Sequence, residues 1–218
     1  MAKLQLVIGN KNYSSWSLRP WMALTVARIP FEETVIPLYQ PQTKKRISEH
    51  SAAGRVPVLH HGKLSVWESL SILEYLAEIF PEKKLWPDGK AARAAARSAA
   101  SEMHSGFAAL RDACPMNLHR PRKAVALSEA VKSDVARIDG LWRECRQAHA
   151  RKGKFLFGAF TNADAMFAPV VTRFDTYDVK VSSESRAYME AVLTTQAFQT
   201  WKGAALAEPW KIPRVEID

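Results

Sequence analysis

Cysteine is nearly absent from this chain. Only Cys114 and Cys145 occur in 218 residues, and they form neither a CxxC pair nor any metal-ligand spacing. That excludes a disulfide framework and reads as two reduced thiols carried on helices. The six histidines give no zinc signature. His60 and His61 are adjacent, would point to opposite faces of a strand, and are expected in a turn instead. Long apolar runs are missing too. No stretch approaches the ~18 uninterrupted apolar residues of a membrane span. Met1-Ala2-Lys3-Leu4-Gln5-Leu6 enters a strand-like pattern without the apolar centre of a signal peptide. The expectation is a cytoplasmic protein with no membrane partner, no metal and no internal repeat.

Positive charge is plentiful, at a formal net +9 and a pI near 9.7. The basic residues are spread out, with the densest runs at Lys44-Lys45-Arg46, Arg111 to Lys123 and Arg143 to Lys154. None is interleaved with aromatics as a nucleic-acid surface would be. A solvated basic surface is the reading, with no nucleic-acid partner, and its field would draw in a small anionic substrate. Hydrophobic residues make up 47%, so a chain of this length can bury a core without disulfide or metal.

Periodicity divides the chain in two. Residues 3 to 8 alternate as a strand, and Ser15 to Arg28 carries Leu18, Met22 and Val26 four apart, as a helix does. Pro20 falls in the first turns, where a missing N–H costs little. A second strand is expected at Glu33 to Pro37 and a short helix within Gln42 to Ser51. Val56 to Leu59 and Lys63 to Val66 read as a hairpin turning at His61-Gly62. Ser69 to Phe80 reads as a helix, with Ile72, Leu76, Ile79 and Phe80 on one face. The order is βαβαββα, with parallel strands, a right-handed crossover and an antiparallel closing hairpin. Pro81 to Gly89 reads as a linker. Everything after it is helical in pattern: Ala91 to Ala113, 122 to 151, 162 to 177, 184 to 193 and 195 to 206.

Three short motifs sit at the junctions of the first half. Ser14-Ser15-Trp16-Ser17-Leu18-Arg19 lies between the first strand and helix, where Ser14 by itself would be a helix N-cap. Gly54-Arg55-Val56-Pro57-Val58-Leu59 precedes the hairpin. Trp67-Glu68-Ser69-Leu70-Ser71-Ile72-Leu73 opens the last helix of the half, and alone would be a capped surface helix. In the helical half, Thr161-Asn162-Ala163-Asp164 has the spacing of a capping box, which assigns Thr161 and Asp164 a folding role.

In order and spacing, these motifs resemble the cytosolic glutathione transferases over nearly the whole chain, and the serine run is similar to that of the zeta class, which includes the maleylacetoacetate isomerases. The resemblance implies an α/β thioredoxin-like domain over residues 1–81, a linker over 82–89 and an all-α domain over 90–218. It implies glutathione as co-substrate and a homodimer. Ser14 is then the hydroxyl that stabilises the glutathione thiolate, with Tyr13 and Ser15 as rivals and Arg19 as an assistant. Val56 pairs its backbone with the tripeptide beside a cis bond to Pro57, and Glu68 and Ser69 hold the γ-glutamyl end. Gln42, Lys44, Lys45 and Arg55 remain alternatives for the glycine carboxylate. The acceptor pocket draws on Tyr13, Trp16, His104, Phe107, Arg173 and Tyr177. Two departures from the zeta pattern stand out. Trp16 replaces the usual cysteine, and Arg173 comes about one turn before the usual arginine of the core helix. The function implied is a transferase acting on a small electrophile. The alternatives are a glutathione-dependent isomerase and a non-enzymatic binding module on the same scaffold.

Overall fold

A computed structural model describes residues 3–150 and 153–217. Strand β1 (Leu4–Ile8) is the spine of the first half. Its alternation sends Leu4, Leu6 and Ile8 into the main core and Val7 to the opposite face, against Ile36, Ile47 and Val58. Because both faces are covered, the strand is apolar almost throughout. It pairs in parallel with β2 (Glu32–Val35) and antiparallel with β3 (Val58–His61), which pairs antiparallel with β4 (Leu64–Trp67). The sheet order is β2-β1-β3-β4. Helices α1 (Ser15–Val26) and α3 (Ser69–Ile79) pack on the main-core face, and α2 (Thr43–Ser48) seats Ile47 on the other.

Further elements follow, among them a short 3₁₀ turn at Pro81–Lys83, then α4 (Lys90–Ser105), α5 (Ala108–Ala113), α6 (Glu129–Cys145), α7 (Asn162–Thr176), α8 (Ser183–Leu193) and α9 (Gln196–Leu206). The expected mixed sheet with helices, followed by a helical half, is what forms. No described helix is long and apolar enough to cross a membrane. Helix α7 is buried along nearly its whole length and packs on α1 and α4. A buried helix start must satisfy its free N–H groups internally. The Asp164 carboxylate does so, accepting from the Thr161 N–H at 2.7 Å, the Thr161 hydroxyl at 3.0 Å and the Leu156 N–H at 3.0 Å. The Asn162 amide donates to the Leu73 carbonyl within α3, and the Asn162 N–H donates to the Leu85 carbonyl. The start of α7 is thus bolted to the first half.

Three expectations need correction. His60 and His61 lie on β3 rather than in a turn. Gly62 and Lys63 alone make the loop, with Gly62 at φ +61°. The two imidazoles diverge as strand neighbours must, His60 to Ser65 across the hairpin and His61 to Tyr75 of α3. The helix expected over Ala91 to Ala113 is two helices. A Cβ on Gly106 would come within 2.8 Å of the Glu102 carbonyl, and Phe107 takes a left-handed φ of +61°, so the chain breaks there. The stretch from 122 is not helical until Ser128, whose hydroxyl caps α6 by accepting the Val131 N–H. Residue 151, the end of that expected helix, lies outside the described residues.

Candidate active site

The loop from β1 to α1 is clamped from several sides. The Asn10 side-chain carbonyl accepts the Leu38 N–H, and that of Asn12 accepts the N–H groups of Leu118 and His119. The Glu208 carboxylate accepts the N–H groups of Lys11 and Asn12, and the Trp201 indole donates to the Lys11 carbonyl. This fixes where α1 begins. Ser14 occupies the N-cap position yet makes no side-chain cap. The residue is 7% exposed, and its hydroxyl donates to the Ser17 Oγ at 2.8 Å, which in turn accepts the Gly9 N–H at 3.1 Å. Ser15 is buried, and its hydroxyl has no hydrogen-bond partner among the described residues. Tyr13 points elsewhere. Its phenol donates to the Glu216 carboxylate at 2.5 Å, and burial together with that carboxylate pushes its pKa up to about 12.

Across from the start of α1, the Val56–Pro57 bond is cis. Val56 precedes β3, and neither its N–H nor its carbonyl is bonded to another described residue. Glu68 follows β4 with φ +66°, a conformation that costs a side-chain-bearing residue about 1–3 kcal/mol. That turn puts Ser69 at the first position of α3, buried, where the helix start favours an anion. The Glu68 carboxylate stays partly exposed, 4.0 Å from the Arg55 guanidinium.

These elements meet around one cavity of about 490 Å³, lined by Trp16, Arg55, Val56, Pro57, Glu68, Ser69 and His104, with Trp67, Ser105 and Arg111. Seven of the residues singled out in the sequence thus converge, while Ser14, Ser15 and Tyr13 are not among the residues that line the cavity. Several others do not line it. Lys44 is exposed on α2. Phe107 is packed into the core at the α4–α5 break. Arg173 is 5% exposed, its Nε donating to the Cys114 carbonyl at 2.9 Å. The buried Tyr177 donates its phenol to the Pro115 carbonyl at 2.9 Å.

Arg111 was visible in the sequence only as the first residue of a basic run. It reaches the cavity because the break at Gly106–Phe107 turns α5 back, letting its Nη1 donate to the carbonyls of His104 and Gly106, both at 3.3 Å. Its guanidinium lies 4.5 Å from the centre of the Trp16 indole, and that of Arg19 lies 4.0 Å from the same ring. His104 meets that indole edge-on at 5.4 Å. Arg19 is 1% exposed, and its Nη1 donates weakly to the Ser69 hydroxyl at 3.4 Å. Burial, then the nearby charges of Arg173 and Arg111, pull its pKa well down, against a partial offset from Glu68. Burial and Arg111 likewise bring Arg173 down to about 10. Burial and then Arg19 lower His104, which favours the neutral imidazole at pH 7. Cys114 and Cys145 are both buried free thiols, raised by burial, Cys145 to about 11.

A thioredoxin-like sheet unit with a helical unit packed on it, and a cavity between a cis-proline corner, a Glu-Ser helix start and α1, define the fold of the glutathione transferases. Comparison with known proteins agrees. Residues 13–79 match the family model "Glutathione S-transferase, N-terminal domain". A probable maleylacetoacetate isomerase from Caenorhabditis elegans is 26% identical over 78% of this chain and 78% of its own length. Glutathione S-transferase 1 from Dianthus caryophyllus is 30% identical over 53% of this chain and 52% of its own. Among solved structures, a glutathione transferase homolog from Burkholderia gl BGR1, with bound glutathione, superposes with a TM-score of 0.71 at 22% identity, covering 93% of this chain and 98% of that one. The Dianthus relative and the Burkholderia structure are named glutathione transferases, and the Caenorhabditis relative a probable maleylacetoacetate isomerase.

Proposed function

We propose that this protein is a glutathione transferase whose thiolate is stabilised at the start of α1 by the Ser14 hydroxyl. The observation that carries the reading is the convergence, on one cavity, of the unbonded Val56 backbone, the Glu68–Ser69 helix start and Trp16 of α1. Glutathione has one group for each. Its central peptide would pair with Val56, and its α-ammonium with Glu68. Its γ-glutamyl carboxylate would take the Ser69 hydroxyl and the N–H groups of α3. Arg55 is the cation nearest Glu68 and Val56 and is our choice for the glycine carboxylate, ahead of the distant Lys44.

Activation needs no formal base. Moving a thiol pKa from about 8.5 down by two units takes roughly 2.7 kcal/mol. A hydrogen bond to a charged acceptor supplies about 1.5–3 kcal/mol, and the N-terminus of α1 adds to it. Arg19, Arg111 and Arg173 also make this end of the cavity electropositive, which favours an anionic sulfur. The thiolate then attacks an electrophilic carbon; a carbon–sulfur bond forms, and the leaving group departs with its electron pair.

Ser14 must turn its hydroxyl from Ser17 toward the sulfur, whereas the Ser15 hydroxyl is already without a partner among the described residues. The test is the pKa of bound glutathione, followed by thiolate absorbance across pH in wild type, S14A and S15A. A rise of one to two units in S14A supports the reading. The same rise confined to S15A moves the role one residue along, and a rise in neither removes serine from the mechanism.

A glutathione-dependent isomerase is the second reading, favoured by the maleylacetoacetate isomerase relative. There the sulfur adds to the substrate and leaves again. Product analysis separates the two, because conjugation consumes the tripeptide and isomerisation regenerates it.

A further inference from the structure

We propose that Glu208, just beyond the end of α9, is a positioning residue for the reaction: it holds the peptide unit that aims the Ser14 hydroxyl at the sulfur. The inference deepens the transferase reading and rests on it for the role of Ser14. It starts from the backbone of the loop between β1 and α1. Backbone N–H and C=O groups taken from water need partners, and around Lys11 those partners come from the far end of the chain. The Glu208 Oε1 accepts the Lys11 N–H at 2.7 Å, and its Oε2 accepts the Asn12 N–H at 3.0 Å. The Lys11 carbonyl accepts the indole N–H of Trp201, on α9, at 2.9 Å. The Lys11 carbonyl and the Asn12 N–H belong to one trans peptide unit, so they point in opposite directions. Trp201 holds one edge of that plane and Glu208 the other. The peptide cannot turn over while both are in place.

Ser14 follows two residues later. Its N–H and that of Tyr13 return to the Asn10 carbonyl, at 2.8 and 3.3 Å, which closes the loop into one unit. In the reading above, Ser14 reaches the sulfur by rotating its side chain away from Ser17. That rotation delivers the oxygen to one place only while the backbone carrying it stays fixed. A misplacement of about 1 Å, caused far from the reacting atoms, can cost about 10²-fold in rate.

Among the groups that clamp the loop, Glu208 is the one that can be removed cleanly. Asn10 and Asn12 belong to the loop itself, and Trp201 is fully buried core. Glu208 is half-buried and does not line the cavity. Its charge makes it a stronger acceptor than a neutral group would be. Solvent can enter the place it vacates, which lets E208A fold, yet water does not fix two N–H groups in one orientation. Lys11 ties the same loop to the sheet, because its ammonium pairs with Glu33 at 2.6 Å and lies over the rings of Trp21 and Trp201. That second tie leaves the peptide plane to Glu208.

The test is a double-mutant cycle on the full-length protein: wild type, S14A, E208A and E208A/S14A. The thiol pKa of bound glutathione is read from thiolate absorbance, and kcat and KM are measured with a chloronitrobenzene acceptor. E208A should raise that pKa by about 0.5–1 unit and lower kcat at pH 6 by about 3–10-fold, in step with the thiolate fraction. The KM for glutathione should stay within about twofold, because Val56, Glu68 and Ser69 stand on other elements. In the S14A background, E208A should move the pKa by less than about 0.2 units, since the residue acts through Ser14. E208Q keeps one acceptor oxygen and should fall between wild type and E208A; circular dichroism checks each variant, and E208Q carries the test if E208A does not fold. An unchanged pKa in E208A overturns the proposal. So does a rise that persists in full when Ser14 is absent, or a KM that climbs as far as kcat falls. S14A alone judges the serine reading: no rise there removes serine and this inference with it, whereas a rise in S14A with none in E208A removes Glu208 only.

Discussion

Asp164 does not line the cavity, yet its replacement should be among the most damaging in the molecule, and the damage should depend on pH in a defined direction. Its carboxylate is fully buried and accepts three hydrogen bonds, two of them from the backbone N–H groups of Thr161 and Leu156. D164A strands those two donors in the interior. At about 1–3 kcal/mol each, that is a loss of roughly 2–6 kcal/mol, or about 5–20 °C in Tm for a chain of this size. The pH dependence comes from the charge itself. Burial raises the Asp164 pKa from the ordinary 3.8 to about 6, against the pull of its hydrogen bonds. The native state therefore holds a proton that the unfolded chain has already released. This contribution to stability is fully present below about pH 4 and is lost as pH rises through about 6. Its full size is about 3 kcal/mol, and about half of it falls between pH 5 and 7.5. D164N cannot titrate. In urea unfolding, the advantage of wild type over D164N should shrink by about 1–2 kcal/mol between pH 5 and pH 7.5. An advantage that stays constant, or grows with pH, would refute the argument and show the carboxylate to be fully ionised throughout.

Glu68 allows stability to be separated from ligand recognition. E68G should relieve the φ of +66° and be about 1 kcal/mol more stable than E68A in denaturant titration, while both variants raise the KM for glutathione about tenfold. Equal stability would mean the backbone there is unstrained, and an unchanged KM would take Glu68 out of the site. Tyr13 tests the rival activator. Because its phenol is committed to Glu216, Y13F should keep the thiol pKa of bound glutathione within about 0.3 units of wild type, and a larger rise would return tyrosine to the mechanism.

Much of the site was legible because its parts are local. The alternation of residues 3 to 8, the apolar face of Ser69 to Phe80 and the Thr161–Asp164 spacing are signals carried by neighbours, and each corresponds to an element or a cap in the structure. The Ser-Ser-x-Ser-x-Arg, Val-Pro and Glu-Ser motifs fall at the ends of strands and helices, where a thioredoxin-like sheet gathers them on one side. What the sequence hid depends on side chains finding partners far along the chain. Tyr13 and Ser14 are adjacent and equally suited to donate, and only the return of Glu216 and the position of Ser17 give them different tasks. Phe107 and Arg111 sit one helical turn apart within a stretch that reads as a single helix. Had that helix been continuous, both would have shared one face with His104. The left-handed Phe107 instead sends its own ring into the core and swings Arg111 back over Trp16. A glycine followed by an aromatic in an alanine-rich helix was the one local sign of that break. Its consequence, a cation delivered to the cavity wall, follows from how α5 packs against α6 and could not be read from composition or spacing. The walls of the cavity that short motifs build were therefore legible, whereas the cation that a helix break delivers to the same cavity was not.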